Sequence, residues 1–387
     1  MSRCSGALRR WTMRWKLNRH QKRRMTMKRW LTLATACLFT TAAQAEEKVL
    51  YLYSWESYFS AQSIAAFEKE TGIKVSYDLF DSNDIVETKM LTGKSGYDLV
   101  TVNLSPHFLR QLPVGIWAPL DRTRLANLGN LDPAVLARGA SVDADNAHNV
   151  PWMWGTTGVG YNVEKIKAIM PDAPVDSLRM VFDPAVVEKF ASCGVGMLDD
   201  AEQVLGLALI YLGLNPDTTD KEELEKAVEV VAKVRPYVRK FHSSSYVNDL
   251  ADGGLCLAIG FSGDMLIASS RAKEAGKPFT VTYRLAKEGN LVWADVLAIP
   301  ADAAHPDAAH AFIDFFLRPE IAAVAATETG FSTANKAALA LLDETLKTNP
   351  DLYPSEADQK RLHLPKALSQ KALKIWSQAW DRAKGLR

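Results

Sequence analysis

The sequence predicts an α/β protein organised as two lobes. Short apolar strands alternate with capped helices at the spacing of parallel βαβ units. The 387 residues exceed what a single hydrophobic core usually holds. No linker-like break interrupts the chain, so two lobes would have to exchange chain segments.

Residues 49–53 (VLYLY) read as a strand, and Ser60 is placed to cap a helix to about residue 70, which Thr71-Gly72 stops. Residues 73–79 form the next strand. Ser82 or Asn83 caps a helix through residue 91, and 97–102 make a third strand. The rhythm returns as a helix over 221–234, strands at 255–259 and 297–299, and helices over 306–317, 320–327, 335–349 and 368–383. There is no fixed-period repeat and no low-complexity segment.

With 48% hydrophobic and 24% charged residues, the composition excludes a disordered chain, a collagen-like chain and a small disulfide scaffold. The formal net charge of +1 conceals an asymmetry. Residues 1–45 hold 11 of the 46 Lys and Arg and no acid, leaving 35 basic against 45 acidic side chains, a balance of −10. That body does not bind nucleic acid by charge; it suits a cationic ligand.

The basic start reads as an export signal. Lys28-Arg29 precede an uncharged stretch over 30–43, and Ala43-Gln44-Ala45 completes the pattern that a signal peptidase reads. Residues 1–45 are therefore expected to be a cleaved signal peptide, with Met25 or Met27 the more typical start and the residues before them a misassigned extension. The apolar run is too short and Thr-rich to span a bilayer, which disfavours an uncleaved anchor. Ala34-Thr35-Ala36 before Cys37 lacks the apolar residue of a lipidation site. Once Cys4 and Cys37 leave, Cys193 and Cys256 remain. In an oxidising compartment one such pair reads as a disulfide, the alternative being two buried thiols.

Catalytic motifs are missing. Gly158-Val-Gly160 lacks the third glycine of a dinucleotide fingerprint, and Gly93-Lys94-Ser95 lacks the first glycine of a phosphate loop. Gly260-Phe-Ser-Gly-Asp264 puts an acid where a nucleophile elbow needs glycine. His107, His148, His242, His305, His310 and His363 show no zinc spacing and read as surface or core histidines. What remains is three aromatic-plus-acid groups beside strands: residues 53–58 (YSWESY), Phe261 with Asp264, and Trp293 with Asp295. Aromatic faces attract a protonated amine and carboxylates anchor it, although aromatics near strand ends also serve as ordinary packing.

With those residues in view, the chain resembles the periplasmic polyamine-binding proteins of ABC importers, especially the putrescine-binding type. The resemblance spans nearly all of 48–380. It rests on YSWESY (53–58), FEKETGIKVSYDLFDSN (67–83), YDLV (97–100), WGTTGVGYNVEKIKA (154–168), RKFHSSSYVNDLADG (239–253), AIGFSGD (258–264), RAKEAG (271–276) and TANKAA (333–338). It implies a type II periplasmic binding protein fold: two lobes, each a mostly parallel sheet flanked by helices, joined at a hinge with chain crossovers. The expected division is an N-terminal lobe of 46–151 and 294–332 and a C-terminal lobe of 152–293 and 333–387.

The resemblance also implies a ligand set of Trp55, Glu56, Ser57, Tyr58, Asn103, Gln203, Phe261, Asp264, Trp293, Asp295 and Phe331, with Cys193 and Cys256 bridged. Trp55 and Tyr58 match the family's aromatic box, and Asp264 and Asp295 its two amine anchors. Phe261 stands where Trp is usual and Phe331 where Tyr is typical, while Trp293 is the variant of spermidine-preferring members. Ser57 replaces a first-loop carboxylate and Gln203 a second-lobe Glu. Glu56 is a candidate substitute for Ser57, but neighbouring residues on an extended segment point in opposite directions.

The implied function is capture of putrescine, spermidine or a related amine in the periplasm and delivery to an inner-membrane ABC permease. The implied protein is a monomer that needs no cofactor, metal, catalytic residue or nucleic acid. Because two acids are replaced, a second reading is an amine with a different far end, such as agmatine or an ω-amino acid. An enzyme on the same scaffold is a third, which turnover of an amine would reveal.

Overall fold

The computed structural model describes residues 48–385 apart from Glu56, Ser57 and Asp81. The expected signal peptide, with Cys4 and Cys37, lies outside the described residues, as do Glu56 and Ser57. The chain opens with β1 (Val49–Trp55), a helix Ala61–Thr71, β2 (Lys74–Phe80), a helix Asn83–Leu91 and β3 (Leu99–Asn103). The caps are those the sequence shows. Ser60 Oγ accepts from Ser63 N at 3.2 Å and Ser82 Oγ from Ile85 N at 3.3 Å. Gly72 ends the first helix at φ 70°, a left-handed conformation that glycine adopts without strain. β2, β1 and β3 pair in parallel.

The remaining strands are β4 (Val150–Asn162), β5 (Val195–Met197), β6 (Lys240–Phe241), β7 (Leu257–Phe261), β8 (Val281–Arg284), β9 (Asn290–Ala298), β10 (Ser332–Thr333) and β11 (Leu362–His363). The main order is β2-β1-β3-β9-β4-β7-β5-β6. A parallel group β2-β1-β3 stands at one end and β7-β5-β6 at the other. The two long strands β9 and β4, antiparallel to each other, run between them.

Two hydrophobic cores flank this arrangement. Trp152, Met153 and Trp154 of β4 enter the first, with Phe67, Phe312 and Phe316, whereas Val159 and Tyr161 of the same strand enter the second, with Phe190 and Trp376. β9 divides likewise: Leu291 joins the second core and Val292, Ala294 and Val296 the first. Trp293, 7% exposed, belongs to neither. Ala334, Ala338 and Leu342 pack into the first core, although the sequence reading assigned 333 onward to the other lobe.

Several elements differ from expectation. Residues 335–349 form two short pieces, Ala337–Leu341 and Glu344–Lys347, because Leu342 turns extended and the Asp343 carboxylate caps Thr345 N at 2.8 Å. The strand expected at 255–259 runs Leu257–Phe261, and that at 297–299 lengthens to Asn290–Ala298, since β4 offers partners along both. The buried helix Ala201–Tyr211 and the helix Ser262–Glu274 were not read from sequence. Cys193 and Cys256 form a disulfide with Cα atoms 5.6 Å apart, linking residues just before β5 and β7.

Candidate functional site

The site begins with strand register. β3 and β9 place Asn103 opposite Asp295, and β4 places Met153 opposite it on the other side. Asp295 is 4% exposed. Tyr58, just after β1, donates its phenol to Asp295 Oδ2 at 2.6 Å, and Asn103 Nδ2 approaches Oδ1 at 3.4 Å. Burial pushes the Asp295 carboxyl up to about 6 against the opposing pull of Tyr58, Asn103 and Trp55. The Trp55 indole N–H favours that carboxylate from nearby but completes no hydrogen bond among the described residues.

A second carboxylate stands where β7 turns directly into the helix Ser262–Glu274. Asp264 lies in the first turn, where the helix dipole favours an anion. It is half-buried; desolvation raises it to about 6, opposed by the Tyr246 phenol and then by Arg271. Tyr246 OH donates to Asp264 Oδ2 and accepts from Phe261 N at 3.0 Å. The Tyr58 phenol is held well above its usual range by burial, then by Asp295 and Asp264, so both acids act on one hydroxyl.

Aromatic rings connect the two carboxylates. Phe261 meets Trp293 at 6.0 Å, Trp293 meets Phe331 at 5.0 Å and Phe331 meets Tyr58 at 6.1 Å, each edge to face. Gly263 permits this, for a Cβ there would collide with the Phe331 ring. Trp55 stands beside the run, edge-on to Phe80 at 4.4 Å. Among the described residues, Trp293 Nε1 is buried with no hydrogen-bond partner, as is Gln203 Oε1 at the start of the helix Ala201–Tyr211. The structure thus brings Tyr58, Asn103, Phe261, Asp264, Trp293, Asp295 and Phe331 into one connected set, with Trp55 at its flank.

The profile of the bacterial extracellular solute-binding protein family matches residues 62–354. The chain belongs to that family. It is 42% identical over 364 residues to the putrescine-binding periplasmic protein PotF of Escherichia coli K12, covering 92% of this chain and 98% of that one. The putrescine-binding periplasmic protein SpuD of Pseudomonas aeruginosa is 43% identical over 344 residues, covering 89% and 94%. Among solved structures, a putative spermidine/putrescine ABC transporter protein from Listeria monocytogenes superposes with a TM-score of 0.77 at 30% identity, over 87% of this chain and 99% of that one.

In this solute-binding protein, sequence reasoning missed a charged group bridging the two cores. Arg110, which follows β3, holds Glu87 with two bonds at 3.2 and 2.6 Å, and its Nη1 lies 3.9 Å from Glu202 Oε1. Burial, then Asp200, raises Glu202 to about 7, while Arg110 and His107 oppose. His107, read as a plain surface or core histidine, reaches Asp84 at 3.5 Å. Asp84, Glu87 and His107 bring donor atoms within 4.8 Å of one another, but Glu87 already gives both oxygens to Arg110. Tyr246 was missed as well. Only a helix residue 18 positions before Asp264 betrays it, and no local pattern links the two.

Proposed function

We propose that this protein captures a polyamine of the putrescine–spermidine class in the periplasm and presents it to an ABC permease. The observation that carries this reading is the pair Asp264 and Asp295, each hydrogen-bonded by a tyrosine and joined by a run of edge-to-face aromatics. An ammonium leaving water needs a counter-charge, since an unpaired buried charge costs several kcal/mol. Each Asp supplies one, and each ring face adds ~0.5–2 kcal/mol of cation–π attraction. Two anchors separated by an apolar run fit two amines separated by an alkyl chain. The names of the related proteins agree with that class.

The two cores are the bodies of two lobes that close on the ligand, with β4 and β9 as crossovers between them. The protein acts as a binder and not as an enzyme. An export signal over 1–45 delivers it to the periplasm, so N-terminal sequencing of the exported chain should begin near Glu46. Calorimetry of residues 46–387 against putrescine, cadaverine, spermidine, agmatine and γ-aminobutyrate tests the ligand class. Putrescine or spermidine should bind tightest. Preference for agmatine or the amino acid would show that the replaced acids, Ser57 and Gln203, redirect the site, and binding to none of them would refute the reading.

A further inference from the structure

We propose that Tyr246 is a positioning residue of this site, its phenol fixing Asp264 in the orientation that receives a ligand ammonium. The inference rests on the polyamine reading for its purpose but on geometry for its substance. Tyr246 is 1% exposed and lies in the helix Tyr246–Asp252, on a different element from Asp264. Its hydroxyl has two fixed partners: it accepts from Phe261 N at 3.0 Å and donates to Asp264 Oδ2. With the amide proton occupying its lone pair, the phenol has its own proton directed at the carboxylate.

The ring can reach that place because residue 260 is glycine, where any Cβ would run into the Tyr246 ring. One Asp264 oxygen is thereby taken by a neutral donor, leaving the other for a cation. The same device appears at the other acid, where Tyr58 donates to Asp295 Oδ2. Tyr58 belongs to the aromatic run; Tyr246 does not, and acts only through Asp264 and the Phe261 amide. Among the described residues, the groups facing Asp264 are Tyr246 from its helix, Arg271 from Asp264's own helix and Tyr58 from the segment after β1; Tyr283 of β8 acts in turn on Tyr246. Of these, Tyr246 is the leading opponent of the desolvation that raises Asp264.

Tyr246→Phe keeps the ring and removes only the hydroxyl. In ligand-free protein, the carboxyl carbon resonance of Asp264, assigned by its loss in Asp264→Asn, should titrate near the wild-type value of about 6 and move up by about one unit or more in the variant. A one-unit rise leaves about a third as much of Asp264 ionised at a pH of about 6.5, so putrescine affinity should fall about threefold or more there and by less at about pH 9, and should fall no further when Tyr246→Phe is added to Asp264→Asn. Should the variant not fold, 3-fluorotyrosine at position 246, a stronger donor of the same shape, should lower the Asp264 titration instead. An unchanged Asp264 titration overturns the proposal whatever the protein binds. An affinity loss from Tyr246→Phe that is just as large in the Asp264→Asn background overturns it too, because it marks Tyr246 as mere packing. If wild type binds no polyamine, the functional reading fails and the titration alone decides the role of Tyr246.

Discussion

Asp295→Asn should move stability and binding in opposite directions. In the ligand-free protein Asp295 is a buried acid held at about 6, against a usual value of 3.8. An acid whose folded value lies above its unfolded value favours the folded state when protonated, and that contribution is lost as pH rises through about 6. The rise of roughly two units corresponds to about 3 kcal/mol spent on the charge near neutral pH. Asparagine removes the charge, while its carbonyl can still accept from Tyr58. Denaturant melts of ligand-free protein at about pH 7.5 should therefore show the variant more stable, by up to about 3 kcal/mol. Putrescine binding should weaken by ~1.5–3 kcal/mol, roughly 10- to 150-fold, as a charged hydrogen bond becomes a neutral one. A variant that is less stable without ligand and binds putrescine as wild type does would refute the placement of Asp295 as a desolvated anchor.

The pH dependence follows from the same signs. Putrescine affinity should fall as pH drops through about 6 and both Asp264 and Asp295 take up protons, while ligand-free stability gains over that window; calorimetry and melts from about pH 5 to 8 measure the two trends. Cys256→Ser should cost about 4 kcal/mol of stability by releasing a loop with a sequence separation of 63, whereas unreduced wild type should show no free thiol at either position by mass spectrometry. Ser57→Asp should add the carboxylate that the resemblance implies at that place and strengthen putrescine binding by ~1.5 kcal/mol. Indifference to that change in a tightly binding protein would mean another acid already serves.

Local chemistry made much of this protein legible from its sequence. Ser60, Ser82 and Gly72 act within their own turn of chain, and the helix Lys221–Val234 was readable residue for residue, with Asp220 capping Glu222 N at 2.8 Å. The resemblance named Asp264, Asp295 and the aromatics that the structure places beside them. The helix Ala201–Tyr211 stayed hidden because every residue from Val204 to Ile210 is buried, leaving no apolar stripe to read. The pieces within 335–349 were misjudged because the Asp343 side chain competes with the helix for its own backbone. Strand limits in β7 and β9 depended on partners in β4 that are remote in sequence. Tertiary structure alone decided that Trp293 joins neither core and that Tyr246 meets Asp264. It alone brought Arg110 from Glu87 toward Glu202. Capping and periodicity are set by neighbours a few residues away, whereas a shared hydroxyl or a buried charge pair depends on which segments the folded chain brings together.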